Sequence, residues 1–325
     1  MEEIKQYREK IETTLRDLAP LPAWRLDTDT HLLKQAFDTA YDRGLFRLFP
    51  YGPTLQERLK FELFRTLPAY SGSLAFLAIQ ILAANKIMST NDFEQKETYF
   101  QKKCGIAINH LRAPFTVVEA IRTDSGYALS GTLTWASGYT IFDHLVVGFH
   151  HKGMEMEAIV PFKEQKGMRI GEADETFVGN SMNTVNIDLE AYEVPETDII
   201  STKPIGNYTK AKSVSKTVHY AMYGIGLGAV EMLEDREMKT TAAERLEAIK
   251  ESFMQTSDGL VMDRLRIDLF TLIQQIITTG MIVKGGSSIL ATETLQRYYR
   301  ELIMFNANGL NDTIKTLFKD HFLKG

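Results

Sequence analysis

Residues 126–150 read GYALSGTLTWASGYTIFDHLVVGFH, and this stretch decides how the rest of the chain is interpreted. The runs Tyr127-Ala128-Leu129 and Leu145-Val146-Val147 favour β-strands. Between them stands Trp135-Ala136-Ser137-Gly138, in which one aromatic residue precedes three small ones. Glycine and small residues allow a strand to bend. The insert therefore predicts either a bend in a sheet or a surface for a flat ligand.

Outward from this stretch, the spacing of apolar residues changes twice. From residue 1 to about 100 the spacing is helical, and the first helix is predicted to carry one apolar face, formed by Ile4, Tyr7, Ile11 and Leu15. From about 104 to 200, short β-favouring runs alternate with polar or glycine-bearing turns, which predicts six or seven strands. Helices return after about residue 211, and one of them is predicted to carry an apolar stripe of Leu269, Leu272, Ile273, Ile276 and Ile277.

This order predicts an α+β fold in three parts. We expect an N-terminal helical domain at 1–103, a central antiparallel β-domain at 104–203 and a C-terminal helical bundle at 204–325. Residues 71–88 are apolar on nearly all sides, which predicts a helix in the centre of a bundle. Ser257-Asp258-Gly259 is predicted to break the C-terminal helices, and Gly285-Gly286 to end a long one.

Composition excludes several classes of protein. The net charge of -5 over 325 residues argues against a binder of nucleic acid, which would show a basic face. The single cysteine, Cys104, cannot form an intrachain disulfide or a cysteine-based zinc site, and no other metal-ligand spacing is present. No secretory signal precedes the first helix, and the most apolar run, 74–84, is about half the ~20 residues of a membrane span. We expect a soluble, cytoplasmic protein without a metal.

Three motifs resemble those of the acyl-CoA dehydrogenase superfamily, which has the same order of helices, sheet and helices. GYALSGTLTW at 126–135 resembles the family's GYxLNGxKxW hairpin. VGNSMN at 178–183, followed by Val194-Pro195, resembles the strand that ends its β-domain. RYYRE at 297–301 resembles its C-terminal RxxRD helix. The resemblance spans most of the chain and implies a flavoprotein.

Two details are more similar to the flavin-dependent monooxygenase branch of that superfamily. GTLTWASG at 131–138 ends in Ala-Ser-Gly, where dehydrogenases have WIT, and GGSS at 285–288 is also closer to this branch. The branch uses reduced flavin supplied by a partner reductase. The resemblance therefore implies FAD or FMN, a small or aromatic substrate, a flavin reductase and a homo-oligomer, either a dimer or a tetramer.

The resemblance also assigns residues to the flavin. It places Asn109 at the pyrimidine side of the ring, and Trp135 and Ser137 at the ring face and the N5 edge. It matches Arg236 to an arginine that reaches the pyrophosphate of a neighbouring subunit. Gly285-Gly286 completes this cofactor set. The alternatives are that Trp135 is core packing, that Arg236 is a solvated helix charge and that the two glycines form a helix C-cap.

The catalytic base is harder to assign. The positions of the usual dehydrogenase glutamate fall at Gly309 and Lys216, and neither is a carboxylate. A monooxygenase needs a shielded site with a proton-managing group. The positions where that branch has a histidine hold only Phe305, Asn306 and Asn308.

His219 and His110 remain as candidates, with the alternative that each is a partly buried or surface histidine. About 50 residues separate Arg236 from Gly285, fewer than in the family, so the C-terminal bundle is shortened. The first hypothesis is a flavin-dependent oxidoreductase. The second is a family member that has lost catalysis and acts as a binding or scaffold protein. The third is an acyl-CoA dehydrogenase with a relocated base.

Overall fold

The computed structural model describes residues 2–113, 115–210 and 215–324. Five helices precede the sheet: α1 (Glu2–Leu18), α2 (Thr30–Asp42), α3 (Pro53–Tyr70), α4 (Gly72–Thr90) and α5 (Lys96–Tyr99). In α1 the buried face includes Ile4, Tyr7 and Ile11, as the spacing predicts. The face continues through the buried Thr14 and Leu18, and Leu15 is partly buried and packs against the same core.

The sheet has eight strands in the order β6-β7-β3-β2-β4-β5-β8, with β1 paired to β4. The strands are β1 (Cys104–Ala107), β2 (Val118–Arg122), β3 (Gly126–Ala136), β4 (His144–His151), β5 (Met154–Pro161), β6 (Met168–Ala173), β7 (Val185–Pro195) and β8 (Ile199–Pro204). The predicted antiparallel sheet is in fact mixed, because β1 and β2 both run parallel to β4. The chain leaves the sheet after β1 and re-enters it at β2, and both strands pair with β4 in the same direction.

The C-terminal helices of the described residues are α6 (Asn207–Lys210), α7 (Thr217–Glu231), α8 (Arg236–Gln255), α9 (Gly259–Lys284), α10 (Thr294–Ala307) and α11 (Asp312–Lys324). All five residues of the predicted apolar stripe of α9 are buried. Asp258 caps the start of α9 by accepting a hydrogen bond of 2.9 Å from the amide of Val261, so the chain breaks where the sequence predicts it. The larger of two hydrophobic clusters among the described residues includes side chains of all three parts, and the domain bounds at 103 and 203 stay a prediction.

Within the part of the chain that the structure describes, two helices, α4 and α9, are long and apolar enough to cross a membrane by length and composition. The most apolar window of α4 is 67% buried inside the protein, and that of α9 is 39% buried. Core helices of soluble proteins meet the same criteria. The packing of α4 against strand β1 and helices α3, α7 and α10 therefore agrees with the predicted central helix of a bundle.

A buried ion pair on α10 ties this helix to α4. Arg297 and Glu301 are one turn apart, only 3% and 1% exposed, and Arg297 Nη1 donates to both carboxylate oxygens at 2.9 and 3.0 Å. The amide of Gly72, the first residue of α4, donates to the same carboxylate at 2.8 Å. A Cβ atom at Gly72 would lie 2.5 Å from the Glu301 side chain, so only glycine allows this approach.

Asp27 extends the network to the β-domain. Its buried carboxylate pairs with Arg300 of α10 and accepts a hydrogen bond of 2.6 Å from the amide of Gly179, in the loop before β7. Arg300 also donates to the carbonyl of Phe177 at 3.0 Å. We call Asp27, Arg297, Arg300 and Glu301 the charge network. It joins the N-terminal helices, the β-domain and α10.

Removing one partner of the charge network should destabilise the protein strongly. We expect Arg297→Met to lower the free energy of unfolding by about 3–5 kcal/mol, because it leaves Glu301 buried without its counter-ion. Burial already raises the pKa of Glu301 to about 7, and losing Arg297 raises that pKa further. A native pKa above the unfolded value means that stability is lost as pH rises, so the deficit should be larger at pH 8 than at pH 5.

Urea denaturation at both pH values measures this effect. The control is the double variant Arg297→Met/Glu301→Leu, which removes both charges and should lose less stability than the single variant, with no extra loss at pH 8. Equal losses in the single and double variants would show that the charges contribute nothing beyond packing.

Candidate functional site

The residue of the predicted flat surface that stands out in the structure is Trp135, near the end of β3. Its side chain is 60% exposed and its backbone φ is +59°, a left-handed conformation that costs a non-glycine residue about 1–3 kcal/mol. The pairing of β3 with β7 is interrupted between Leu133 and Ala136, so Trp135 sits in a bulge. The alternative that Trp135 is core packing is wrong. A strained, exposed indole is a candidate surface for a ligand.

Ser137 and Gly138 fix the turn that follows Trp135. Ser137 is buried, and its hydroxyl lies 2.9 Å from the hydroxyl of Thr184, so that bond would have to be exchanged if Ser137 met a ligand. Gly138 has a φ of +89°, and a Cβ atom there would lie 2.3 Å from the ring of Phe142. The turn that follows Trp135 is therefore closely packed. The contact of Ser137 with a flavin N5 stays a prediction.

Asn109 lies in a short 3-10 helix, Asn109–Arg112, directly after β1. Its side chain is exposed, and its Oδ1 accepts a hydrogen bond of 3.1 Å from Arg112 Nη1. Strand β1 packs beside β3. Gly105 of β1 and Gly138 both lie against the ring of Phe142, which joins the Asn109 strand to the Trp135 turn. Asn109, Trp135 and Ser137 all lie in the central part of the chain that carries the sheet, and we call these three residues the sheet group.

Arg236, Gly285 and Gly286 form a second group on the C-terminal helices. Arg236 is the exposed first residue of α8, and Gly285, with a φ of +78°, ends α9. A small cleft is lined by residues from both the start of α8 and the end of α9, so these two helix ends are neighbours. The positive φ of Gly285 and its amide hydrogen bond to the carbonyl of Met281 fit the C-cap alternative.

A groove near this second group lies between α8 and α9 and has a volume of about 420 Å³. Its floor includes Leu233, Leu272 and Ile276, and acidic side chains at its rim are Asp235 and Glu237. None of the sheet group lines it. This groove therefore does not join the sheet group to the residues at the ends of α8 and α9, and the cofactor roles of both sets stay predictions.

The two candidate histidines are both buried and bonded to backbone carbonyls. His219 Nε2 lies 2.9 Å from the carbonyl of Met262, and His110 Nε2 lies 2.8 Å from that of Gly148. Burial lowers the pKa of both, that of His219 to about 4, so both are neutral near pH 7. Both histidines are more deeply buried than the partly buried or surface histidine of the alternative, and their bonds to backbone carbonyls fit a role in packing.

Gly309 and Lys216, the two positions where a dehydrogenase glutamate is expected, both lie beside helix ends. Gly309 has a φ of +64° in the turn between α10 and α11, which favours glycine over glutamate. Lys216 immediately precedes α7, and its Nζ donates to the carbonyl of Met254 at 2.8 Å. No group of three or more His, Cys, Asp or Glu side chains in the described part of the chain is placed to hold a metal ion.

Arg266 of α9 is a residue that sequence analysis missed. It is buried, and its guanidinium donates to the carbonyls of Asn306 and Asn308, at 2.5 and 2.8 Å, and to the side-chain oxygen of Asn306. It thus caps the end of α10, where the dehydrogenases of the resemblance would place their base. Burial lowers its pKa to about 10, which still leaves it charged. The available signal was an arginine within the apolar stripe of α9.

No protein-family model and no curated protein sequence matches the chain. Solved structures match it over nearly its whole length. KijD3 in complex with FMN and dTDP-3-amino-2,3,6-trideoxy-4-keto-3-methyl-D-glucose aligns with a TM-score of 0.77 and 15% identity, over 99% of this chain and 94% of KijD3.

Two further structures represent a dehydrogenase and a second FMN-bound protein. Glutaryl-coenzyme A dehydrogenase in its glutaryl-CoA complex aligns with a TM-score of 0.78 and 14% identity, over 100% of this chain and 96% of the dehydrogenase. FMN-bound TdsC from Paenibacillus sp. A11-2 aligns with a TM-score of 0.76 and 14% identity, over 98% and 97% of the two chains. The chain therefore has the acyl-CoA dehydrogenase-like fold, and its structural neighbours include both dehydrogenases and monooxygenases.

Proposed function

We propose that this protein is a flavin-dependent oxidoreductase, closer to the monooxygenases than to the dehydrogenases of its fold, acting on a small or aromatic substrate. The observation that carries the proposal is Trp135, an exposed indole in a left-handed conformation beside a closely packed turn. Strain of this kind persists where the surrounding structure enforces it, commonly at ligand sites. KijD3 and TdsC, which share the fold, are both described as FMN-bound.

The residues of the sheet group fit a flat heteroaromatic ligand. Trp135 offers an apolar face for stacking, and Asn109 offers an exposed amide for the polar edge of the ring. When bound, FAD or FMN would supply the redox chemistry, which no side chain here can perform. The chain itself would orient the ring and cover one of its faces. We further propose a soluble, cytoplasmic protein that receives reduced flavin from a reductase.

A second candidate function is a binding or scaffold protein that has lost catalysis. The specific observation in its favour is that neither Gly309 nor Lys216 is a carboxylate and that both candidate histidines are buried and neutral. The third candidate, a dehydrogenase with a relocated base, needs a carboxylate near the end of α10. Asp312 is close in sequence but begins α11 and pairs with Lys315 at 3.3 Å.

Flavin titration separates these candidates. We expect the protein to bind FMN or FAD, more tightly in the reduced form, and Trp135→Ala to raise the dissociation constant roughly tenfold, because stacking on one aromatic ring contributes about 1–3 kcal/mol. Trp24→Ala is the matched control, since Trp24 is the other tryptophan, is also partly exposed and lies outside the sheet group.

Flavin absorbance and fluorescence, measured with both flavins in both redox states, provide the readout. If neither signal changes on titration, the flavin proposal fails and the scaffold function remains. Anaerobic bleaching of bound flavin by an acyl-CoA would instead support the dehydrogenase.

The separation of the two groups suggests a site shared between copies of the chain. If Arg236 contacts the pyrophosphate of a flavin held by a second copy, Arg236→Ala should weaken binding of FAD severalfold and leave FMN unaffected, because only FAD has a pyrophosphate. Arg245→Ala, nine positions further along α8, is the control. Dissociation constants for both flavins, with light scattering for the oligomeric state, test this. Equal effects of Arg236→Ala on FAD and FMN would contradict it.

A further inference from the structure

Two acidic side chains of β5 are buried on the face of the sheet that packs against the loop after β1. Glu155 and Glu157 are 3% and 1% exposed. Burying a carboxylate costs free energy unless it is hydrogen-bonded. The hydrogen-bond partners of Glu155 and Glu157 therefore show which elements these two side chains hold together. Glu155 accepts hydrogen bonds from the amides of Gly206 and Tyr208 at 2.6 and 3.0 Å. It therefore holds the start of α6 against the sheet.

Glu157 binds the side chain of Tyr208, which belongs to the same helix, α6. One carboxylate oxygen accepts from the hydroxyl of Tyr208, and the other accepts from Ser201 at 2.5 Å, with Lys203 Nζ at 3.5 Å as counter-ion. Burial and the neighbouring carboxylate raise the pKa of Tyr208, so its hydroxyl remains a donor at any physiological pH. Tyr208 is thus fixed at both its backbone and its ring.

The fixed ring of Tyr208 lies under Arg112 of the loop after β1. The Arg112 guanidinium carbon is 6.0 Å from the centre of the ring, within the range of a cation–π contact. Arg112 Nη1 in turn donates to Asn109 Oδ1 at 3.1 Å. The arginine is exposed and would otherwise sample many rotamers. The tyrosine ring therefore favours the rotamer in which Arg112 reaches Asn109.

The direction of the Asn109 amide follows from donor and acceptor chemistry. A guanidinium has only donors, so the amide oxygen of Asn109 must face Arg112 and the amide nitrogen must point away from it. The free edge of Asn109 is therefore a donor of two N–H groups. A flavin presents carbonyl oxygens and a ring nitrogen as acceptors at the pyrimidine edge, which match such a donor.

We propose that Glu157, Tyr208 and Arg112 form a positioning relay that orients Asn109 as a hydrogen-bond donor to a carbonyl of the bound flavin. This inference rests on the proposed function, because it assigns Asn109 a partner on the flavin. The relay residues touch no ligand themselves. They act through Asn109, and they connect β5, α6 and the loop after β1.

The donor role is tested by substituting Asn109 itself. Asn109→Asp keeps an oxygen for Arg112 but removes both N–H donors, so it should weaken flavin binding as much as Asn109→Ala does. Dissociation constants for FMN and FAD provide the readout. Binding of Asn109→Asp at wild-type affinity would overturn the donor assignment.

The relay is tested by a double-mutant cycle. Arg112→Ala, at an exposed position that does not threaten folding, and Tyr208→Leu should each raise the flavin dissociation constant about two- to fivefold. In the Asn109→Ala background neither should have a further effect. Equal effects with and without Asn109 would mean that both residues act on general structure, and would overturn the relay. Tyr192→Phe, in a tyrosine of β7 outside the relay, is the control and should leave the affinity unchanged.

Hydrogen exchange measured without flavin tests the relay separately from flavin binding. Tyr208→Leu should accelerate exchange of the amides at 109–112, while Tyr192→Phe should not. Unchanged exchange overturns the relay even if the wild type binds flavin. If Tyr208→Leu accelerates exchange but the wild type binds no flavin, the mechanical link is confirmed. The proposed function and the ligand assigned to Asn109 are then both overturned.

Discussion

The placement of the three parts depends on the charge network buried between them. Asp27 pairs with Arg300 of α10 and accepts hydrogen bonds from the amide of Gly179 and the hydroxyl of Ser73. Glu301 pairs with Arg297 and accepts a hydrogen bond from the amide of Gly72. Apolar contacts tolerate small shifts, but a buried charge that loses its partner pays its full desolvation penalty. The network therefore selects one arrangement of α4, α10 and the β-domain from the many that the hydrophobic core alone would allow.

The order of the parts, the break before α9 and the end of α9 at Gly285 could be predicted from the sequence, whereas the direction of the strands could not. Alternation with period two reports which residues face the core and is the same for parallel and antiparallel neighbours. The pairing of β1 with β4 joins Cys104 to His144, and it connects segments that share no local signal. Strand β1 has only four residues, too few to show a period of its own.

The candidate site could likewise be predicted only in part from the sequence. Trp135 could be singled out as a candidate from the sequence because an aromatic residue before three small ones is unusual within a strand. Its exposure depends on the bulge opposite β7. The bond of Ser137 to Thr184 spans 47 positions, and the contacts of Arg266 with the end of α10 span about 40. Such partners are set by tertiary packing. The same is true of the burial of His110 and His219, which no residue pattern reveals.

These buried groups also constrain the chemistry. A histidine whose pKa burial has lowered to about 4 takes up a proton near neutral pH only when its surroundings open, so His219 couples protonation to unfolding rather than to a reaction. Arg266 cannot act as a base, and its donors are directed to the carbonyls that end α10. His219 and Arg266 are therefore poorly suited to proton transfer in a reaction. Under the proposed function, the Trp135 indole and the Asn109 amide would bind the flavin, and the flavin rather than a protein base would carry the chemistry.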